Sequence, residues 1–89
     1  MPRLFIRHNV SNYDAWRRVY ADFEPTRRHM AVIGDAIYRS VVDPSDVTVT
    51  HDFETVAGAK AFVESAALRE AMGNAGVVGE PQFWITVPA

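Results

Sequence analysis

The apolar residues of this chain change period repeatedly, and the order of those changes leaves few folds open. Arg3 to Val10 alternates, with Leu4, Ile6, His8 and Val10 on one face and Arg3, Phe5, Arg7 and Asn9 on the other. A period of two is a strand. Ser11, with Asp14 three residues on, reads as a variant helix cap, and Tyr13, Trp16, Val19, Tyr20 and Phe23 then recur at helical spacing. Pro25 has no N–H and disfavours helical geometry at Glu24. The pattern therefore predicts a break there and a short helical piece through Met30, ending before Gly34.

Ala36–Val42 and Val47–Glu54 are rich in β-branched residues, and Asp43-Pro44-Ser45-Asp46 lies between them. Asp followed by Pro suits the first two positions of a type I turn, so the segment predicts a hairpin with a four-residue loop that pairs Val42 with Val47. Thr55 can cap a second helix whose inward positions include Ala57, Ala61, Phe62, Leu68 and Met72, with a small break at Ser65. Gly73 to Gly79 reads as a loop, and Gln82 to Val87 alternates as a last strand. The order β-α-β-β-α-β is that of the split βαβ motif of ferredoxin-like folds. The expected class is α+β, a four-stranded antiparallel sheet with two helices on one face.

Eighty-nine residues make a single domain, 1–89, with a marginal core. There is no cysteine to staple it, and 48% of the residues are hydrophobic. The uncovered sheet face is expected to carry Phe5, Ile37, Val41 and Trp84, too apolar to leave in water. A second copy packed on it would solve both problems, so a homodimer is expected. The net charge is −2 with no basic run, which argues against nucleic acid or a membrane surface as partner. No stretch approaches the ~20 apolar residues of a membrane span. Met1-Pro2-Arg3-Leu4 leads into the strand without signal-peptide character, and a cytoplasmic protein is expected.

The predicted hairpin register sets Tyr38 opposite His51 on the helix-covered face. His8 lies on the apolar face of the first strand. If the faces coincide, His8, His51 and Tyr38 meet beneath the aromatic stripe of the first helix. Two imidazoles and a phenol facing an apolar cavity suit proton transfer near neutral pH. Trp16, Tyr20, Phe53 and Phe62 would form the walls that hold a small apolar or aromatic molecule. A single histidine on an apolar strand face is commonly a core residue; two on one face point to a lined cavity. No third histidine or carboxylate shares that face, so no metal site is expected. Arg7, Arg39 and Asp52 would form a charged cluster on the opposite face.

These features resemble the small dimeric α/β-barrel proteins that include antibiotic-biosynthesis monooxygenases and polyketide cyclases. The resemblance covers nearly the whole chain. It rests on His8-Asn9-Val10 before Tyr13-Asp14-Ala15-Trp16-Arg17, on Ile37-Tyr38-Arg39 before Asp43-Pro44, and on Ala61-Phe62, Leu68-Arg69-Glu70-Ala71-Met72 and Ala75-Gly76-Val77. It implies a dimeric α/β barrel around a ligand cavity. Cofactor-independent oxygenases and haem-degrading relatives resemble one another in an Asn on the first strand, a Trp before the second helix and a His within it. This chain keeps Asn9, but has Phe53 at the Trp position and Glu64 and Ser65 in the region of the His. The departures argue against haem and quinone-forming oxygenation, and no cofactor is expected. The leading expectation is a cyclase or isomerase acting by proton transfer on an aromatic or polyketide-like substrate. A non-catalytic binding or accessory protein comes next, and an oxygenase last.

Overall fold

The computed structural model describes all residues from Met1 to Ala89. Eight elements follow one another: β1 Arg3–Val10, α1 Tyr13–Asp22, α2 Glu24–His29, β2 Gly34–Arg39, β3 Asp46–Asp52, α3 Val56–Glu64, α4 Ala66–Asn74 and β4 Val77–Thr86. The strands form one antiparallel sheet in the order β2-β3-β1-β4. The fold is α+β and ferredoxin-like, with β1 and β3 at its centre. No helix is long and apolar enough to cross a membrane.

Alternation along β1 decides where the core lies. Leu4, Ile6, His8 and Val10 are buried, and they pair across β3 with a row that includes His51, Val49 and Val47. Trp16 of α1, Phe62 of α3 and Leu68 of α4 close over this face, with Phe53 beyond the end of β3. The helices start where short polar side chains can accept their free N–H groups. Asn12 Oδ1 accepts from Ala15 N, so the first cap is Asn12 and not Ser11; Thr55 caps α3 as expected. Ser65 both ends α3 and caps α4, which is the break its position suggested. The inward phase of α3 runs through Ala59 and Phe62, leaving Ala57 and Ala61 outside. Alanines are too small to set a helix's phase against a buried phenylalanine.

The hairpin differs from its expected form. Ser40 N–H bonds to the Asp46 carbonyl, and the last ladder pair is Arg39 with Val47. The Asp43 carbonyl does accept from Asp46 N, closing the turn, but Val41 and Val42 have left the ladder and stand fully in solvent. The pairing is thus displaced by three residues. An odd displacement turns every β2 side chain to the other face. Tyr38 pairs with Thr48 on the uncovered face, whereas Asp35, Ile37 and Arg39 lie on the helix side. Of the four residues expected on the uncovered face, Phe5 and Trp84 are there, stacked with ring centroids 5.2 Å apart. Ile37 and Val41 are not.

The expected Arg7–Arg39–Asp52 cluster is replaced by two separate pairs. Arg3 bonds to Asp52 at 2.7 Å and Arg7 to Asp46 at 2.7 Å. Arg39 stays on the helix side, its guanidinium 3.7 Å from the Tyr13 ring centre.

β4 begins at Val77, well before Gln82, so the expected glycine loop divides: Gly73 and Asn74 end α4, and Val77 to Gly79 are strand. Opposite His8 its register slips: Arg7 pairs with Gln82, but Asn9 pairs with Val78. Gly79, at φ +75°, and Pro81, which has no N–H, make up this irregularity. The slip amounts to two residues, so Val77, Phe83 and Ile85 still share the inward phase.

α2 ends with Ala31 in the left-handed region at φ 70°. Val32 N donates to the Arg27 carbonyl and Ala31 N to that of Arg28, the Schellman pattern that glycine normally completes. Ala31→Gly should therefore raise stability by about 0.5–1 kcal/mol in urea denaturation, because the Cβ that strains this conformation is gone. A loss of stability would mean that α2 ends differently.

Candidate active site

Between the sheet and the helices lies a cavity of about 40 Å³. Ile6, His8, Val49 and His51 form its floor. Trp16, Val19, Tyr20 and Phe23 rise from α1 and its end, and Leu68, Ala71, Met72 and Ala75 from α4 and its end. Ten of these twelve are hydrophobic; the two that are not are His8 and His51.

Each histidine is where alternation put it, on the helix-covered face of a central strand. The register then separates them. His8 pairs with Val47, and His51 lies four positions further along β3, opposite Leu4. At ~3.3 Å per residue the offset is about 13 Å, so the imidazoles do not meet directly or through one water. They stand at opposite ends of one slot, joined by aromatic rings. His8 lies 5.8 Å from Trp16, Trp16 5.1 Å from Tyr20, and Tyr20 6.2 Å from His51, centre to centre.

Both are almost wholly buried, His8 at 6% exposure and His51 at 2%. Neither ring nitrogen of His8 has a hydrogen-bond partner, nor has Nδ1 of His51. Burial lowers both pKa values because it penalises the imidazolium. At His8 the Asp46 carboxylate opposes the shift. At His51 the Arg27 guanidinium adds to it, against the weaker pull of Asp35 and Asp52, and the pKa falls from 6.5 to about 4. Both rings are neutral at pH 7, each able to accept one hydrogen bond and donate another. His8, beside a carboxylate rather than a guanidinium, keeps the greater basicity.

The other expected site residues divide. Trp16 and Tyr20 line the cavity. Tyr38 does not: it is 56% exposed on the far side of the sheet, for the register reason given above. Phe53 and Phe62 are fully buried in the core. Phe62 packs against His51 at 5.0 Å and Phe53 against Phe62 at 5.7 Å, so they back the site without forming its surface.

Three groups escaped the sequence reading. Ala71 and Ala75 complete a wall with Leu68 and Met72, which were expected to face inward but not assigned to the site, and the spacing of three and four was there to be read. Asp35 accepts a 2.5 Å hydrogen bond from the Tyr20 hydroxyl. Burial first and this bond second push the Tyr20 pKa up, so the phenol stays protonated. Arg27, 5% exposed, donates to the Tyr20 carbonyl and lies 3.9 Å from the Tyr20 ring centre. Tyr20 is thereby fixed as a wall. Asp35 could be found only with the correct hairpin register, and Arg27 sits among charged neighbours that look like a solvated face. No three His, Asp or Glu side chains gather as metal ligands would.

No protein-family model matches the chain, and no curated protein sequence matches it. Solved structures do. A protein of Bordetella bronchiseptica assigned as an antibiotic biosynthesis monooxygenase aligns with a TM-score of 0.82 at 20% identity, over 99% of this chain and 96% of its own. One of the same description from Nitrosomonas europaea aligns at 0.75 and 16%, over 99% and 98%. SnoaB, a cofactor-independent oxygenase of Streptomyces nogalater, aligns at 0.79 and 5%, over 99% and 92%. At these identities the likeness establishes a shared fold.

The buried imidazoles set a pH dependence. The unfolded chain protonates His51 near 6.5, and the folded protein resists until about 4. Between these values the unfolded state binds more protons, so stability is complete above pH 6.5 and falls as pH drops toward 4. His51 alone should remove roughly 3 kcal/mol over that window. Urea denaturation at pH 7 and pH 4.5 should show the fall, and His51→Leu should remove most of it. An unchanged slope in the variant would place His51 in water.

Proposed function

We propose that this chain, which has the fold of antibiotic-biosynthesis-monooxygenase-like proteins, is an enzyme that moves protons on an apolar aromatic or polyketide-like ketone. Cyclisation or isomerisation is the resulting reaction. The observation that carries this reading is His8: a buried, neutral imidazole with both nitrogens unpartnered, in the lining of an otherwise apolar slot. Such a base is well placed to take a proton from a carbon next to a carbonyl, and the dry surroundings keep water from competing. Trp16 and Tyr20 wall the substrate body on the α1 side. His51, the weaker base, serves best as a hydrogen-bond partner for an oxygen that gains charge. Tyr38 has no part in the chemistry. Entry requires α1 and α4 to part, since a cavity of about 40 Å³ holds only some three waters.

The protein works as a homodimer in this reading. Phe5 and Trp84 are stacked on the uncovered face, where Trp84 is 42% exposed, and Tyr38 is exposed on the same face from the opposite edge strand. A second copy on that face would bury them. Static light scattering should give twice the chain mass at micromolar concentration, and Trp84→Glu should give the monomer. A stable wild-type monomer would sink the dimer.

The names of the fold neighbours favour a second reading, oxygenation without a cofactor. One assay separates the two. β-Tetralone, an aromatic ketone with acidic α-hydrogens, is held in D₂O with the protein while NMR follows exchange and an electrode follows oxygen. Exchange should exceed that of an equal concentration of free imidazole, and His8→Gln should lose it by 10²-fold or more with an unchanged melting temperature. Oxygen uptake without exchange would favour the second reading; exchange equal in His8→Gln would defeat the first.

A further inference from the structure

The cavity is polar only at its ends, and the two ends are far apart. Water is a poor occupant of such a space, because it needs two to four polar partners and each end offers one imidazole. An unpartnered buried nitrogen is unfavourable, and three of them belong to the two histidines that line this one slot. Between them lie the rings of Trp16 and Tyr20 and no charged side chain.

We propose that the ligand of this cavity is an uncharged, elongated molecule with a hydrogen-bonding group at each end, one held by His8 and the other by His51. The inference rests on the reading of the cavity as a substrate site and specifies what that site accepts. The length follows from the strand register, which sets the imidazoles four residues apart along β3. The ligand carries no charge because nothing in the lining would balance one. Either end can be a hydroxyl or a carbonyl, since a neutral imidazole both donates and accepts.

Three probes of equal width test this: biphenyl, its para-hydroxy derivative, and the derivative with a hydroxyl at each para position. Calorimetric titration should show affinity rising at least about fivefold with each hydroxyl, the gain from satisfying an otherwise unpartnered buried group. In His51→Leu or His8→Leu the second hydroxyl should bring nothing. Since either variant could fail to fold, the imidazole ¹⁵N signals of the wild type give an independent reading. Both cavity histidines should shift with the dihydroxy compound, while exposed His29 stays unmoved. Equal affinity for all three probes, a gain from the first hydroxyl alone, shifts at one histidine only, or no binding would each overturn the proposal. Binding does not depend on turnover, so a full affinity ladder beside failed proton exchange would leave this proposal standing and remove the catalytic one.

Discussion

The inward side chains at the centre of the molecule take their places from the pairing of β1 with β3. That ladder aligns Leu4 with His51, Ile6 with Val49 and His8 with Val47, so one register fixes both the floor of the core and the spacing of the two imidazoles. The helices adapt to it: Trp16 and Tyr20 fill the span between the histidines, and Phe62 seals the far end. A slip by one residue would exchange the inward set for Phe5, Arg7 and the threonines of β3. Core and site therefore have a common origin.

That common origin explains what could be read from the sequence. In β1 three aliphatic residues and a histidine alternate with Arg3, Phe5, Arg7 and Asn9, and Ser65, Thr55 and Pro25 mark helix boundaries through simple chemistry. The β2–β3 register was hidden for a specific reason. Asp43-Pro44 fixes where the chain turns, but nothing local tells how many residues leave the ladder first. Val41 and Val42 have strong β-propensity and still stand in solvent, because no partner strand or covering helix is there for them. The error of three residues moved Tyr38 into the site and Asp35 out of it. β4 was obscured similarly, since Gly79 and Pro81 look like loop residues and are an irregularity inside a strand.

The site is also where the fold is least favourable. Two imidazoles buried without partners each destabilise by about 1–3 kcal/mol, in a chain whose size allows little excess stability. Leucine at either position would suit an apolar core better. Arg27, Tyr20 and Asp35 hold one wall firmly, whereas the α4 wall is alanine, leucine and methionine, with a one-residue joint at Ser65. The firmly held wall carries the aromatic rings, and the aliphatic one faces it across the slot. An occupant that satisfied both imidazoles would stabilise the whole domain.

The slip in β4 has a consequence for how this sequence can drift. Gly79, Glu80 and Pro81 take up two surplus residues opposite His8, and an even surplus leaves the phase of the strand intact. Loss or gain of a pair there would keep Ile85 against the core. Loss or gain of one would turn Trp84 to the helix side and expose Ile85. Chain length in this short stretch can therefore change over time only in steps of two, an arithmetic imposed by the pleat rather than by any side chain.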